Sequence, residues 1–363
     1  MTARPAPAEQ AAAAGRGAAG ATAARRLARA LDVVAHGQHP SGEMLSFRRD
    51  PQGNYAYVRS TFVSTFVHDE LACFDPTSPG YLDGSLELFP APDQARLAEA
   101  VGELRRRIRG FLIWQQEAAG YWRFFGRGSG IDPDVNSTAC ASAALLEGHG
   151  VRSLARWEHE QAVVLSFRSR DGRFFTFLKP GRGGYGWLSE AGVPVVGFDR
   201  VVNAEVLRYL VRVGRGSSPE AGSLAEWLLG EARGPDALAG SPLYPNPVCF
   251  LFVLARALEG PGAPLRAELS EALLALAGRL QRADGGFGGP LGTALGARAL
   301  LALGERGERL AAARLAVLRA RGPHDGWPYE DFVVHGFGAP AWTTALSVAF
   351  LARHACSSAG GRA

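Results

Sequence analysis

The chain is almost without lysine. Lys179 is the sole lysine among 39 Lys and Arg residues, and the formal net charge is only +4. The arginines are scattered over segments such as Leu104–Arg107, and no arginine cluster alternates with aromatic residues. Surfaces that bind nucleic acids combine a concentrated basic patch with such aromatics. The sequence therefore argues against a nucleic-acid partner.

Long apolar runs and paired cysteines are also missing. The sequence contains no run of about 18 apolar residues, the length that spans a bilayer. Residues 1–22, rich in Ala, Gly and Pro, lack the apolar centre of a secretory signal, and we expect them to be disordered. The four cysteines form no C-x-x-C pair, and most lie in apolar helical segments, as buried inert thiols do. These absences predict a protein without a transmembrane segment and favour a cytoplasmic location.

What the sequence does contain is a unit that recurs about six times. Each unit joins an amphipathic helix, a Gly-centred turn with an aromatic or apolar neighbour, and a second, more apolar helix. The turns are Pro40–Met44, Ala118–Trp122, Arg170–Phe174, Ala283–Phe287 and His324–Trp327. From Gly120 to Gly326 the turn glycines lie 52, 113 and 41 residues apart, so the middle interval fits two units. Its missing turn is expected in the degenerate stretch Gly230–Tyr244.

The periodicity predicts six pairs of helices. The first helix of each pair is charged on one face, and the second is rich in small, uncharged residues and should be buried. The predicted pairs are Ala23–His36 with Val58–Phe74, Pro92–Gln116 with Pro133–Leu146, Val151–Arg168 with Asp199–Val213, Pro219–Ala232 with Pro245–Leu258, Ala263–Arg282 with Gly292–Leu303, and Glu305–Arg321 with Ala341–His354.

These pairs predict an all-α protein, an (α/α)6 toroid with six inner and six outer helices. An open solenoid needs polar capping repeats, and neither terminal unit is visibly more polar than the others. The toroid is expected to span residues 23–356 as a single domain, followed by a flexible tail over residues 357–363. Because the inner helices should surround one cavity, that cavity is where the function is expected.

One stretch of the second unit resembles a known family. Trp122–Gly126, an aromatic turn, leads into Asp134–Ala139, which reads D-V-N-S-T-A. This pattern resembles the squalene-cyclase and protein-prenyltransferase superfamily, whose class II terpene cyclases carry D-x-D-D-T-A at the mouth of an inner helix. The resemblance covers residues 23–356 and implies the same toroid. It also implies an isoprenoid or another apolar small molecule as substrate, held in the central cavity.

The departure from the family pattern lies at the centre of the motif. Asn136 and Ser137 stand where the family has its second and third Asp, and the resemblance implies that the second Asp is the acid that protonates an alkene or epoxide. Asn136 cannot supply such a proton. Asp134 remains a candidate, although its place at a helix N-terminus favours the carboxylate form and also suits an N-cap. We therefore expect an initiating step other than the family's usual one.

Further candidates lie in the loops that precede the inner helices. Asp199 is a second acid at a helix start, and His335 is the best base or metal ligand; a cap and a surface His are their ordinary alternatives. His68, Asp69 and Glu70 are consecutive and cannot share one helix face as metal ligands. Aromatic residues suited to an apolar substrate are Phe62, Trp122, Phe125, Tyr244, Phe287, Trp327 and Trp342.

The sequence thus predicts a terpene cyclase-like enzyme, an isomerase, lyase or transferase, with Asp134, Asn136, Ser137, Asp199 and His335 at its catalytic edge. No cofactor and no metal is expected for it. Two alternatives remain open: a non-catalytic toroid that binds an apolar ligand or a partner protein, and a metal-dependent enzyme that uses His335 with carboxylates. The sequence leaves the oligomeric state open.

Overall fold

A computed structural model of the chain describes the backbone of residues 7–146, 154–177, 197–333 and 336–360, and their side chains except at 7–20, 154–157 and 359–360. The outer helices are α1 (Pro7–His36), α3 (Ala91–Gln115), α5 (Leu154–Leu165), α7 (Pro219–Arg233), α9 (Arg266–Leu280) and α11 (Glu308–Arg319). The inner helices are α2 (Thr61–Leu71), α4 (Val135–Leu146), α6 (Arg200–Arg212), α8 (Val248–Ala257), α10 (Pro290–Ala302) and α12 (Pro340–Gly360).

The inner helices close into a ring. Each inner helix packs against the next along the chain, from α2 through α4, α6, α8 and α10 to α12, and α12 packs back against α2. The inner helices are buried around most of their circumference, since small residues such as those of α4 let neighbouring backbones approach. The predicted (α/α)6 toroid is therefore confirmed. One boundary differs, because α1 begins at Pro7 and so takes in residues that composition assigned to disorder; the division into domains stays a prediction.

A small sheet that the sequence did not predict joins the first and last units. Its strands β1 (Ser46–Arg49), β2 (Tyr55–Val58), β3 (Asp331–Val333) and β4 (Phe337–Gly338) pair antiparallel in the order β2-β1-β4-β3. Val58, predicted as the start of a helix, ends β2, and Ser60 caps α2 instead. The strands are too short to show an alternating pattern. These strands join the first unit to the last on the face of the ring where the inner helices begin.

The repeat turns share one hydrogen bond. In each, a residue in the left-handed region is followed two positions later by a residue whose backbone N–H donates to a polar side chain on the inner helix. The pairs are Met44 to Ser64 at 3.0 Å, Trp122 to Thr138 at 3.2 Å, Phe174 to Asn203 at 2.8 Å, Phe287 to Thr293 at 3.1 Å and Trp327 to Thr344 at 3.0 Å. The hydrogen bond sets each turn against the helix that follows it.

In the last turn the left-handed residue lies one position earlier than the turn glycine predicted from the sequence. Gly120, Gly172 and Gly285 adopt φ values of 88°, 93° and 83°, but in the final turn the left-handed residue is Asp325, at 62°, and not Gly326. Asp325 is held there by Arg29, whose Nε lies 2.6 Å from its carboxylate. Asp is one of the few side chains that tolerate this conformation.

A substitution at a turn glycine tests how strongly these turns hold the fold. Gly42 has a φ of 92°, and an added Cβ would lie 2.2 Å from the carbonyl oxygen of Arg107 on α3. We expect Gly42→Ala to lower the free energy of unfolding by more than about 3 kcal/mol, through backbone strain and this overlap. Gly304→Ala is the matched control, because Gly304 has a φ of 80° but no atom within 4 Å of the added Cβ. It should cost only about 1 kcal/mol in urea unfolding; equal losses in the two variants would contradict this account.

Candidate functional site

A small cavity lies where the segments before the inner helices converge. Its volume is about 40 Å³, which holds about three water molecules. We call it the rim cavity. Its lining residues are Phe124, Phe125, Ile131, Asp134, Asn136, Thr176, Phe177, Val202, Leu243, Tyr244, Val333 and Phe337. The D-V-N-S-T-A motif therefore faces an apolar, largely aromatic wall.

Among the described residues, Asp134 is the one acid that lines the rim cavity, and its carboxyl group is only half satisfied. Oδ1 accepts the backbone N–H of Ser137 at 2.7 Å, which is the N-cap bond of α4. Oδ2 is buried and has no hydrogen-bond partner among the described residues. Burial raises the pKa of Asp134 to about 7, against the lowering effect of the Ser137 N–H. The helix N-terminus still favours the carboxylate form, but desolvation of the buried group opposes it more strongly.

Asn136, at the motif position where the related family has its acid, forms a hydrogen bond to the other side of the cavity. Its Nδ2 donates to the hydroxyl of Tyr244 at 2.5 Å, and its Oδ1 accepts from the Cys140 thiol at 3.7 Å. Burial raises the pKa of Tyr244 well above its usual range, so the phenol stays neutral. Because the Tyr244 oxygen accepts from Asn136, its own hydrogen remains available to a ligand in the rim cavity.

Two further predicted catalytic residues serve as local anchors. Ser137 gives its N–H to the Asp134 cap, and its buried hydroxyl also acts to lower the pKa of that carboxyl group. Asp199 caps α6: Oδ1 accepts from the N–H groups of Val201 and Val202, and Oδ2 from that of Leu243. Asp199 thus positions the Leu243–Tyr244 segment that lines the cavity. His335 lies outside the described residues, and the catalytic roles of all these residues stay predictions.

Four of the seven predicted substrate-binding aromatics line an internal space. Phe125 and Tyr244 line the rim cavity, while Phe62, Tyr244 and Trp342 line a void of about 10 Å³ below it.

The other three predicted aromatics, Trp122, Phe287 and Trp327, line neither of these spaces. Trp122 and Trp327 donate their indole N–H to Leu112 and Val317 on the outer helices, each at 2.8 Å. Phe287 packs so closely on Gly296 that an added Cβ there would lie 2.4 Å from its ring. We therefore assign these three to packing between helix layers. Sequence reasoning missed Val202 and Val333, which carry no polar or motif signal, and Thr176, which is polar but belongs to no motif.

The middle of the ring is filled by aromatic side chains. Phe62 stacks on Phe332 at 5.8 Å and on Phe124 at 5.4 Å, and Phe332 meets Trp342 edge-on at 4.4 Å between ring centroids. The open apolar chamber expected from the sequence is therefore wrong for this conformation, because these rings reach across the axis. A long hydrocarbon can enter only if some of them move.

Within the described ranges, no group of three or more His, Cys, Asp or Glu side chains is arranged to hold a metal ion. None of the described helices combines the length and hydrophobicity needed to cross a bilayer.

Comparison with known proteins identifies the fold. No protein-family model matches the sequence, and no curated protein matches it either. Solved structures do match. A protein from Actinoplanes has a TM-score of 0.63 at 17% identity, over 92% of this chain and 99% of its own. A variant of the type II terpene cyclase MstE from Scytonema, in complex with geranylgeranyl dihydroxybenzoate, has a TM-score of 0.63 at 17% identity, over 91% and 97%.

Two further structures, with lower TM-scores, show which kinds of enzyme share this fold. The ent-copalyl diphosphate synthase from Streptomyces platensis has a TM-score of 0.53 at 20% identity, and the match spans 81% of this chain but 50% of the synthase. A cellobiose 2-epimerase from Spirochaeta thermophila has a TM-score of 0.55 at 13% identity, over 90% and 93%. The chain thus has the terpene cyclase-like toroid fold. Because an epimerase of sugars has a similar fold, the activity must be argued from the site.

Proposed function

We propose that the chain is a terpene cyclase-like enzyme that acts on an isoprenoid or another apolar small molecule, with Asp134 as its general acid. The observation that carries this proposal is the buried carboxyl group of Asp134, whose Oδ2 is unpartnered among the described residues beside an aromatic-lined cavity. A raised pKa keeps much of this group protonated near neutral pH. Asp134 thereby takes the part that Asn136 cannot play.

The proton is held where a reacting atom would approach. It sits on the Asp134 carboxyl and leaves to the substrate from Oδ2, while the Ser137 N–H stays on Oδ1 and stabilises the carboxylate as it forms. The faces of Phe124, Phe125 and Phe337 surround the cavity and would stabilise the resulting carbocation. Loss of a proton from the cation back to the carboxylate would complete the turnover.

The weak acidity of Asp134 limits the kinds of substrate that it can protonate. A carboxyl with a pKa of about 7 is a weaker acid than an ordinary Asp at 3.8. Each pKa unit is worth about 1.4 kcal/mol, so protonation of a given atom is about 4 kcal/mol less favourable. An epoxide oxygen, or a double bond activated by oxygen, accepts a proton more readily than a plain alkene. We therefore favour an oxygen-bearing isoprenoid.

The test is incubation of the purified protein with epoxysqualene, squalene and polyprenyl diphosphates, with products identified by mass spectrometry. We expect turnover of the epoxide, and a loss of at least about a hundredfold in Asp134→Asn, the range for removal of a general acid. Asp93→Asn, in the first turn of α3 where the Asp93 side chain is 38% exposed, is the matched control and should keep full activity. Unchanged turnover in Asp134→Asn would remove this residue from the mechanism.

Asn136→Asp separates this mechanism from the family's usual one. The substitution restores a carboxyl group at the motif position that the resemblance assigns to the acid. If only Asn136→Asp turns over a substrate, Asp134 is not the acid.

The small volume of the rim cavity, about 40 Å³, favours a second candidate, a non-catalytic toroid that binds a small apolar ligand. Mass spectrometry of material that co-purifies with the protein distinguishes the two. An unaltered ligand, retained equally by Asp134→Asn and by the unsubstituted protein, would support binding without catalysis.

A further inference from the structure

A larger groove lies on the outside of the toroid, remote from the motif. It is formed by the α1 residues after Ala21, the segment before α3, the face of α11 and the C-terminal part of α12, and its volume is about 730 Å³. Its walls are apolar and include Leu27, Phe89, Leu318 and Leu351. We call it the α1–α12 groove. Its size falls within the range of ligand sites.

The edge of the α1–α12 groove carries excess positive charge. Arg314 and Arg321 line it, and among the residues whose side chains the structure describes no Asp or Glu does so. Arg314 stands one turn before Leu318 on α11, so both face the groove. His354 lies in the same wall, but burial, with repulsion from Arg314, lowers its pKa, so it adds no positive charge there.

The charge around Arg321 is only partly balanced. Asp325 is shared by three guanidinium groups: Arg29 at 2.6 Å, Arg321 at 3.5 Å and Arg26 at 3.9 Å. Three positive charges thus face one carboxylate. Burial, with repulsion from Arg26, lowers the pKa of Arg321, which reflects this crowding. An anion beside the groove would relieve it.

From this charge and these walls we propose that the α1–α12 groove binds a long-chain carboxylate. Its hydrocarbon chain lies among Leu27, Phe89 and Leu318, and its head group meets Arg314 and Arg321. The planar fork of Arg matches a carboxylate in two parallel hydrogen bonds. Apolar walls alone would accept any chain, whereas the arginines select an anionic head group over a neutral or cationic one. The site is independent of the rim cavity and of the reaction proposed there.

The test is isothermal titration of the full chain with decanoate, decanol and decyltrimethylammonium, which share a chain length and differ in head-group charge. We expect decanoate to bind tightest and the cation weakest. Arg314→Ala should weaken decanoate by about tenfold, the effect of one charge-assisted contact. Arg314 is exposed, so this variant should fold; equal melting temperatures with and without the substitution verify it.

Two further variants locate the ligand. Leu318→Glu puts a carboxylate in the groove and should abolish decanoate binding while decyltrimethylammonium binds more tightly. Asp134→Asn should leave decanoate binding unchanged. The proposal is overturned if the three amphiphiles bind alike, if Arg314→Ala has no effect, or if Asp134→Asn abolishes binding, because decanoate would then occupy the rim cavity.

Discussion

Asp134→Asn is expected to make the protein more stable at pH 8 while removing its proposed activity. The pKa of Asp134 is raised from 3.8 to about 7 by burial. Between these two values the folded protein holds a proton that the unfolded chain has released, so stability falls as the pH rises through this window. At 1.4 kcal/mol per pKa unit, the free energy of unfolding falls by about 4 kcal/mol in total once the pH is above 7. Asn cannot ionise, and it caps a helix as well as Asp does, so the variant escapes the loss.

Chemical denaturation from pH 4 to pH 8 measures this effect. The difference in unfolding free energy between Asp134→Asn and the unsubstituted protein should grow by about 4 kcal/mol over the range. Asp93→Asn makes the same substitution at a half-exposed side chain on α3, and its difference in unfolding free energy from the unsubstituted protein should vary far less over this range. A difference between Asp134→Asn and the unsubstituted protein that does not vary with pH would mean that the carboxyl is ionised in the folded state.

The helices could be predicted from the sequence because each carries its own signal. Periodic charge marks the outer helices, small residues mark the inner ones, and turn glycines mark the boundaries. The sheet escaped prediction because its pairing of Phe47 with Gly338 joins opposite ends of the chain. The shift at Asp325 escaped too, since Gly326 beside it offered the more obvious left-handed residue.

The candidate site was predictable in position but not in chemistry. The motif located Asp134 and Asn136, since spacing to a helix start is a local property. The protonation state of Asp134 depends on how deeply the toroid buries it, and the bond from Asn136 to Tyr244 spans 108 residues. The rings that meet at the axis come from α2, α12, β3 and the loop before α4, so their packing depends on segments far apart in the chain. These properties belong to the packed toroid and to no single segment.

The opposite end of the ring carries a layer of buried charges that sequence reasoning did not anticipate. Asp69 and Glu70 on α2 meet arginines from the other inner helices. The arginines are Arg208 and Arg212 on α6, Arg256 on α8 and Arg298 on α10. His68, Asp69 and Glu70 are all buried, because other helices surround α2, and both Asp69 and Glu70 approach Arg256. The C-terminal ends of helices favour cations, which accounts for arginines at this end.

Asp69→Asn is expected to destabilise the protein by about 3 to 5 kcal/mol, because it removes the buried carboxylate that Arg208 and Arg212 share and leaves Arg208 with Glu205 alone. Asp69 Oδ2 lies 2.8 Å from Arg212 Nη1 and also bonds Arg208. Although burial alone would raise it, Arg212 and Arg208 hold the pKa of Asp69 well below its usual range. Glu103→Gln removes a carboxylate from the exposed pair with Arg106 and should cost less than about 1 kcal/mol. Urea unfolding at neutral pH compares them; similar small losses would mean that water already screens the buried layer.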